Sequence, residues 1–145
     1  DWSVMLSAIT NELMEVYDDH FSHELNIVKH HKGQNYIAAA FRDVLAGSQM
    51  IRSRSEHLYN PENIQHDVFE DKVQEYYSLR CVTQVLGPVY DALVQAENTV
   101  VNELNSVNDN PVVDVANQNI FHGGNFHGDY VSFEMDKLKI KSLMN

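Results

Sequence analysis

Tyr77 and Arg80 stand three residues apart in a stretch of helical periodicity, so both side chains project from one face, with Gln74 one turn ahead of Tyr77. A phenol, a guanidinium and an amide so arranged can hold an amino-acid carboxylate through two charge-assisted bonds and set a proton-transfer group beside it. The same spacing equally serves packing and surface solvation. A second set lies in His122-Gly123-Gly124-Asn125-Phe126-His127-Gly128. Glycine permits positive φ and close backbone approach, which would put Asn125 and Phe126 against a ligand.

The glycine run looks superficially like the oxyanion loop of lipases, but the chain has no Gly-x-Ser-x-Gly elbow to supply the nucleophile. A plain glycine turn before a helix is the other reading. Histidines offer a third possibility: His20 and His23 with Asp18, Asp19 and Glu24 could supply metal ligands, and His30-His31 or His122 and His127 could add more. The spacing matches no zinc signature, since His-Glu-x-x-His is absent and Cys81 stands alone. These histidines are therefore read as solvated, and no metal is expected.

The elements that must position these groups follow from apolar spacing. Trp2, Met5, Leu6, Ile9, Leu13 and Val16 recur at threes and fours, predicting an amphipathic helix to about Tyr17, broken by the polar run Asp18 to His23. A polar turn with Gly33 follows. Tyr36, Ile37, Ala40, Phe41, Val44 and Leu45 form a second helical stripe with Gly47 as its C-terminal cap. Periodicity is weak from Gln49 to Asp71, with a turn at Asn60-Pro61, so this stretch reads as loop with short helical pieces. The strongest pattern starts at Tyr76: Leu79, Val82, Leu86, Val89, Leu93, Ala96 and Val100, with Glu103 in the next slot, make a heptad seam of a long core helix. Gly87-Pro88 within it predicts a kink. Asn105 to Pro111 ends that helix, Val112 to Phe121 reads as a small hairpin or extended excursion, and Val131, Met135 and Leu138 begin a last helix that runs on through Asn145.

Composition narrows the function. Ten Lys and Arg against 21 Asp and Glu give a net charge of −11, and the scattered basic residues offer no nucleic-acid surface. At 43% hydrophobic residues the 145-residue chain is globular despite its acidity. One cysteine suits a reducing compartment, hence a cytoplasmic location. No apolar run approaches the roughly 20 residues that span a bilayer, so no membrane partner is expected. Neither the start, Asp1-Trp2-Ser3, nor the still-helical end looks natural, and the chain is read as a segment of a longer protein, cut at both ends.

Three motifs in order then carry a specific resemblance: Val73-Gln74-Glu75-Tyr76-Tyr77-Ser78-Leu79-Arg80-Cys81 continuing into Gln84-Val85-Leu86-Gly87-Pro88, Asn105-Ser106-Val107-Asn108-Asp109-Asn110-Pro111, and Gly123-Gly124-Asn125-Phe126-His127-Gly128. The chain resembles the aromatic amino-acid ammonia-lyases, acting on histidine, tyrosine or phenylalanine, and their related aminomutases. Weaker similarity reaches back through His31-Lys32-Gly33-Gln34 and Leu45-Ala46-Gly47-Ser48, while Tyr76 and the end Lys141 to Asn145 depart from the pattern. Flanking residues such as Tyr17-Asp18-Asp19-His20-Phe21 and His127-Gly128-Asp129-Tyr130 look more like bacterial tyrosine lyases than histidine lyases.

The resemblance implies an all-α, fumarase-like helical bundle with a short hairpin near 112–122, assembled as a homotetramer when complete. It implies an electrophilic methylidene-imidazolone built from Ala-Ser-Gly, a tripeptide absent from these residues, so the segment alone is expected to be inactive. It also assigns roles. Arg80 would pair with the substrate carboxylate, where its planar fork suits better than lysine. Tyr77 would assist proton transfer, Gln74 would contact substrate or prosthetic group, Phe126 would flank the electrophile, and Asn125 would support the loop. The chemistry is loss of a β-proton and expulsion of ammonia, leaving an α,β-unsaturated acid. Set beside it is a reading of another class, a non-catalytic helical oligomerisation module in which Tyr77 and Arg80 serve packing.

Overall fold

A computed structural model describes residues 2–61 and 72–143. The elements in order are α1 (Trp2–Leu13), a 3-10 turn (Asp18–Phe21), α2 (His23–Ile27), α3 (Lys32–Val44), α4 (Arg54–His57), α5 (Tyr77–Arg80), α6 (Val82–Leu104), β1 (Val112–Asp114), β2 (Asn119–Phe121) and α7 (Asp129–Leu143). They fall into two compact units, Asp1–Tyr90 and Asp91–Asn145, with α6 contributing to each. The mainly helical class and the excursion near 112–122 agree with the sequence. The excursion is an antiparallel hairpin pairing Val112 with Phe121 and Asp114 with Asn119.

The first unit closes around Ala8, Val16, Phe21, Ile37, Phe41, Leu79 and Val82, with Leu45, Leu86 and Tyr90 packed against them. Phe21 and Phe41 stack at 4.6 Å between ring centroids, and Tyr36 and Tyr90 stack at 4.0 Å. Of the second apolar stripe, Ile37 and Phe41 enter this core while Tyr36 and Val44 stay exposed. Gly47 does take a left-handed φ of 83°, two residues beyond the cap at Leu45.

Helix α1 stops at Leu13, short of the expected Tyr17. The Val16 N–H donates to the Asn11 carbonyl (3.2 Å) and the Glu15 N–H to the Glu12 carbonyl (3.0 Å), while Glu15 itself is left-handed at φ 51°. These are the bonds of a Schellman terminus, here built on a residue other than glycine, which periodicity does not reveal. Its buried residues are Ala8 and Asn11, whereas Trp2, Met5, Leu6, Ile9 and Leu13 remain exposed. Small residues allow the close helix contact, and the large apolar stripe faces outward.

The long helix also differs from expectation. Tyr77–Arg80 forms its own turn, separated from α6 by Cys81 at φ −103°, ψ 13°. Pro88 lies inside α6 without ending it. Along the seam Leu79, Val82 and Ala96 are buried, but Leu93 is 52% exposed, so the heptad register does not persist as a buried line. The polar run after α1 folds into the 3-10 turn and α2 instead of a simple break, and Gly33 sits in the first turn of α3. Short helical structure between Gln49 and Pro61 is met by α4. The rest of that stretch, 62–71, and the end of the last helix at 144–145 lie outside the described residues.

Gly87 brings α6 onto the start of α3. A Cβ there would lie 2.6 Å from the Gln34 backbone nitrogen and 2.7 Å from its Cα, distances no rotamer change relieves. Gln34, itself buried, donates from Nε2 to Asn26 Oδ1 (3.0 Å), and Asn26 Nδ2 donates to the carbonyls of His20 (3.2 Å) and Ser22 (2.9 Å). Gly87→Ala is therefore expected to destabilise the fold by roughly 1–3 kcal/mol, overpacking outweighing alanine's better helix propensity. Urea unfolding of the two proteins side by side tests this, and an unchanged or raised midpoint would contradict it.

Candidate functional site

Helix α5 is a single turn, and a single turn is not stable by itself. The Leu79 and Arg80 N–H groups both donate to the Tyr76 carbonyl (3.0 Å each), and the N-cap residue Tyr76 makes no side-chain capping bond. Leu79 supplies the anchor: it is 6% exposed in the hydrophobic core. With Leu79 pointing inward, Tyr77 is turned outward and is 74% exposed. The Arg80 guanidinium lies over the Tyr77 ring at 4.8 Å from its centroid. Arg80 is half-buried, and its Nε is shielded from solvent without a hydrogen-bond partner among the described residues.

A guanidinium with a buried, unused N–H beside a phenol fits an acceptor such as a carboxylate oxygen. Gln74 does not share this turn. It lies exposed in a bend ahead of the helix, so the expected three-residue face holds for Tyr77 and Arg80 only.

Asn125 and Phe126 belong to the second unit, where both are exposed. Their loop is tied at one end by the Gly123 N–H donating to Asn110 Oδ1 (2.7 Å) and internally by the His127 N–H donating to the Gly124 carbonyl (2.9 Å). His127 Nδ1 lies 3.1 Å from Asp129 Oδ2. None of Gly123, Gly124 and Gly128 adopts positive φ, and a Cβ on any of them would meet nothing within 4 Å among the described residues. The positive φ that glycine permits is not used here; what these glycines leave is backbone without a neighbour among the described residues.

A buried polar cluster lies behind α5 in the first unit. Arg54 is 8% exposed. Its Nε donates to Asp19 Oδ2 (2.7 Å), its Nη1 to the Val73 carbonyl (2.5 Å), and its backbone N–H to Asp18 Oδ1 (3.2 Å). Tyr17, fully buried, carries the Arg54 guanidinium at 4.2 Å and that of Arg52 at 5.0 Å from its ring centroid. His20 is 5% exposed, not solvated as expected, because the 3-10 turn directs it inward beside Phe21. Its Nε2 has no partner among the described residues, and its Nδ1 lies 3.5 Å from Asp19 Oδ1. His23, His30, His31, His122 and His127 are exposed, and the described residues contain no group of three metal-binding side chains.

A family model, described as aromatic amino acid lyase, matches residues 1–144. The chain belongs to the aromatic amino acid lyase family. It is 39% identical over 143 residues to the tyrosine 2,3-aminomutase of Myxococcus sp., covering 95% of this chain and 27% of that protein. It is 38% identical over 144 residues to the tyrosine ammonia-lyase of Cupriavidus metallidurans, covering 94% and 26%. The solved structure of Pantoea agglomerans phenylalanine aminomutase superposes with a TM-score of 0.87 at 33% identity, over 97% of this chain and 28% of that one. The chain thus spans about a quarter of the length of these relatives.

In this aromatic amino acid lyase chain the residues singled out from the sequence divide between the two units. In the first, Tyr77 offers an exposed ring and Gln74 an exposed amide; in the second, Phe126 and Asn125 do the same beside Gly123 and Gly124. Arg54 and the burial of His20 were not legible beforehand. The acidic run at Asp18-Asp19 was a signal that a buried cation could answer it, but nothing in the local sequence of Arg54 marks it as the partner.

Burial pushes the His20 imidazole below its ordinary value of 6.5, helped by the Arg54 and Arg80 charges and opposed by Asp19 and Asp18. The folded protein therefore holds His20 neutral where the unfolded chain takes up a proton, so stability is complete above about pH 6.5 and falls as pH drops toward the lower folded value. Unfolding midpoints measured from pH 8 to pH 5 should decline, and His20→Gln should lessen the decline. An identical slope in the two proteins would show that His20 does not contribute.

Proposed function

We propose that the protein carrying this chain removes ammonia non-oxidatively from an aromatic L-amino acid, and that the chain is a central part of its catalytic domain. Family membership over residues 1–144 supports the reaction class. The observation that carries the assignment to this chain is the Tyr77–Arg80 pair, a phenol under a guanidinium whose buried Nε lacks a partner among the described residues. Arg80 binds the substrate α-carboxylate and fixes the orientation of the Cα–Cβ bond. Tyr77, with its hydroxyl on the exposed side, moves the β-proton. Gln74 contacts substrate or prosthetic group, Phe126 flanks the electrophile and Asn125 supports the loop that presents it.

The methylidene-imidazolone, formed from an Ala-Ser-Gly outside this chain, supplies an electrophile that makes the amino group a better leaving group. The proposal includes a small aromatic substrate, with tyrosine favoured, a homotetrameric assembly of the whole protein and a cytoplasmic location. No described helix is long and apolar enough to cross a membrane. A second outcome is favoured by the 39% identity to a tyrosine 2,3-aminomutase. There the same residues perform the elimination and ammonia is returned at the β-carbon.

The full-length protein incubated with tyrosine, phenylalanine and histidine should release an α,β-unsaturated acid, seen by its ultraviolet absorbance, from one of them. A β-amino acid product would identify the aminomutase outcome, and the absence of both products would refute the assignment. Arg80→Lys keeps the charge but loses the fork, which should cost roughly 2–4 kcal/mol of transition-state binding, about 30- to 1,000-fold in kcat/KM. Tyr77→Phe should lower kcat more than it raises KM, because proton transfer acts in the transition state. A folded Arg80→Lys enzyme within twofold of wild type would make Arg80 a structural residue.

A further inference from the structure

We propose that Arg54 is a positioning residue for the Tyr77–Arg80 turn, holding the entry to α5 by clamping the Val73 carbonyl to Asp19. This rests on the function proposed above for Tyr77 and Arg80. Arg54 is remote from both in sequence and touches neither through any hydrogen bond described above. Its bonds join three separate stretches: the acidic turn at Asp18 and Asp19, its own helix α4, and Val73, which immediately precedes Gln74.

The physical need for such a clamp follows from the neighbourhood of α5. Downstream, Leu79 is pinned in the core. Upstream, residues 72–76 form no regular structure and are largely exposed, and the helix start has no side-chain cap. The Cys81 N–H also donates to the Tyr77 carbonyl (2.9 Å) and the turn runs on into α6, so the end left to be fixed is the upstream one, where Tyr77 follows the Gln74 bend. The Arg54 Nη1 bond to the Val73 carbonyl supplies the second fixed point.

Only arginine meets the geometry. Its planar guanidinium donates in two directions at once, to a carboxylate and to a carbonyl, while its face rests on the Tyr17 ring at 4.2 Å. Asp19 offsets the buried charge, and Tyr17, fully buried, fixes the plane of the group. A lysine ammonium could reach Asp19 or Val73 but would lack the flat fork that spans both.

The test uses the full-length enzyme with Arg54→Lys and Arg54→Met. Hydrogen exchange of the amides in 74–81 should accelerate about tenfold or more in both variants, with exchange in α1 and α3 little changed. Turnover should fall by about 10- to 100-fold in kcat, the scale of a misplacement on the order of 1 Å, with KM changed far less and lysine recovering only a minor part. Unchanged exchange in 74–81 would overturn the proposal. So would acceleration spread evenly over α1 and α3, which would make Arg54 a core stabiliser. Should methionine prevent folding, the lysine variant alone decides by the same two readouts. If the wild-type enzyme turns over no aromatic amino acid, the assigned function fails, while the exchange measurement still reports whether Arg54 holds the turn.

Discussion

Everything proposed for this chain hangs on the burial of Leu79. The turn that carries Tyr77 and Arg80 is too short to persist on its own hydrogen bonds, and apolar contact with the core supplied by α1, α3 and the 3-10 turn gives it a fixed orientation. Alternation then does the rest: with one residue of the turn driven inward, the phenol two positions before it faces out, and the guanidinium one position after it lies across the phenol ring. The chemistry of the surface is set by hydrophobic packing beneath it.

That dependence reaches outward through polar groups as well. Gln34 joins the start of α3 to Asn26, and Asn26 joins the turn that buries His20 and Phe21. Arg42 Nη1 donates to the Phe21 carbonyl at 2.6 Å, so the ring stacked on Phe41 is held by its backbone too. A low-dielectric setting strengthens such bonds and makes each unmet partner costly. The buried His20 Nε2 and Arg80 Nε, without partners among the described residues, stand out for that reason.

Much of this was legible in the sequence and some could not have been. The stripe at Ile37 and Phe41, the hairpin across Asn117-Gln118-Asn119 and a last helix carrying Val131, Met135 and Leu138 follow from periodicity and turn chemistry. The Tyr77–Arg80 pairing followed from helical spacing. Periodicity identified the large apolar stripe of α1 but not the face that packs, since Ala8 and Asn11 carry too little hydrophobic signal. It could not place Gln74 outside the helix, because a bend just before a helix preserves the same spacing in sequence. The Arg54 bonds, with partners 35, 36 and 19 residues away, are tertiary and leave no local trace.

Gly87 and the glycines of the 123–128 loop differ in kind, and the difference bears on how the sequence can drift over generations. At Gly87 the space a side chain would need is already taken by the backbone of Gln34, so folding by itself is enough to hold the residue constant. Gly123, Gly124 and Gly128 have unstrained backbone and no neighbour within 4 Å among the described residues, which place no veto on a methyl group there. Constancy of Gly123 and Gly124 among diverging descendants would therefore be the imprint of something pressing on the loop from outside, whether a prosthetic group, a substrate or a neighbouring segment of protein.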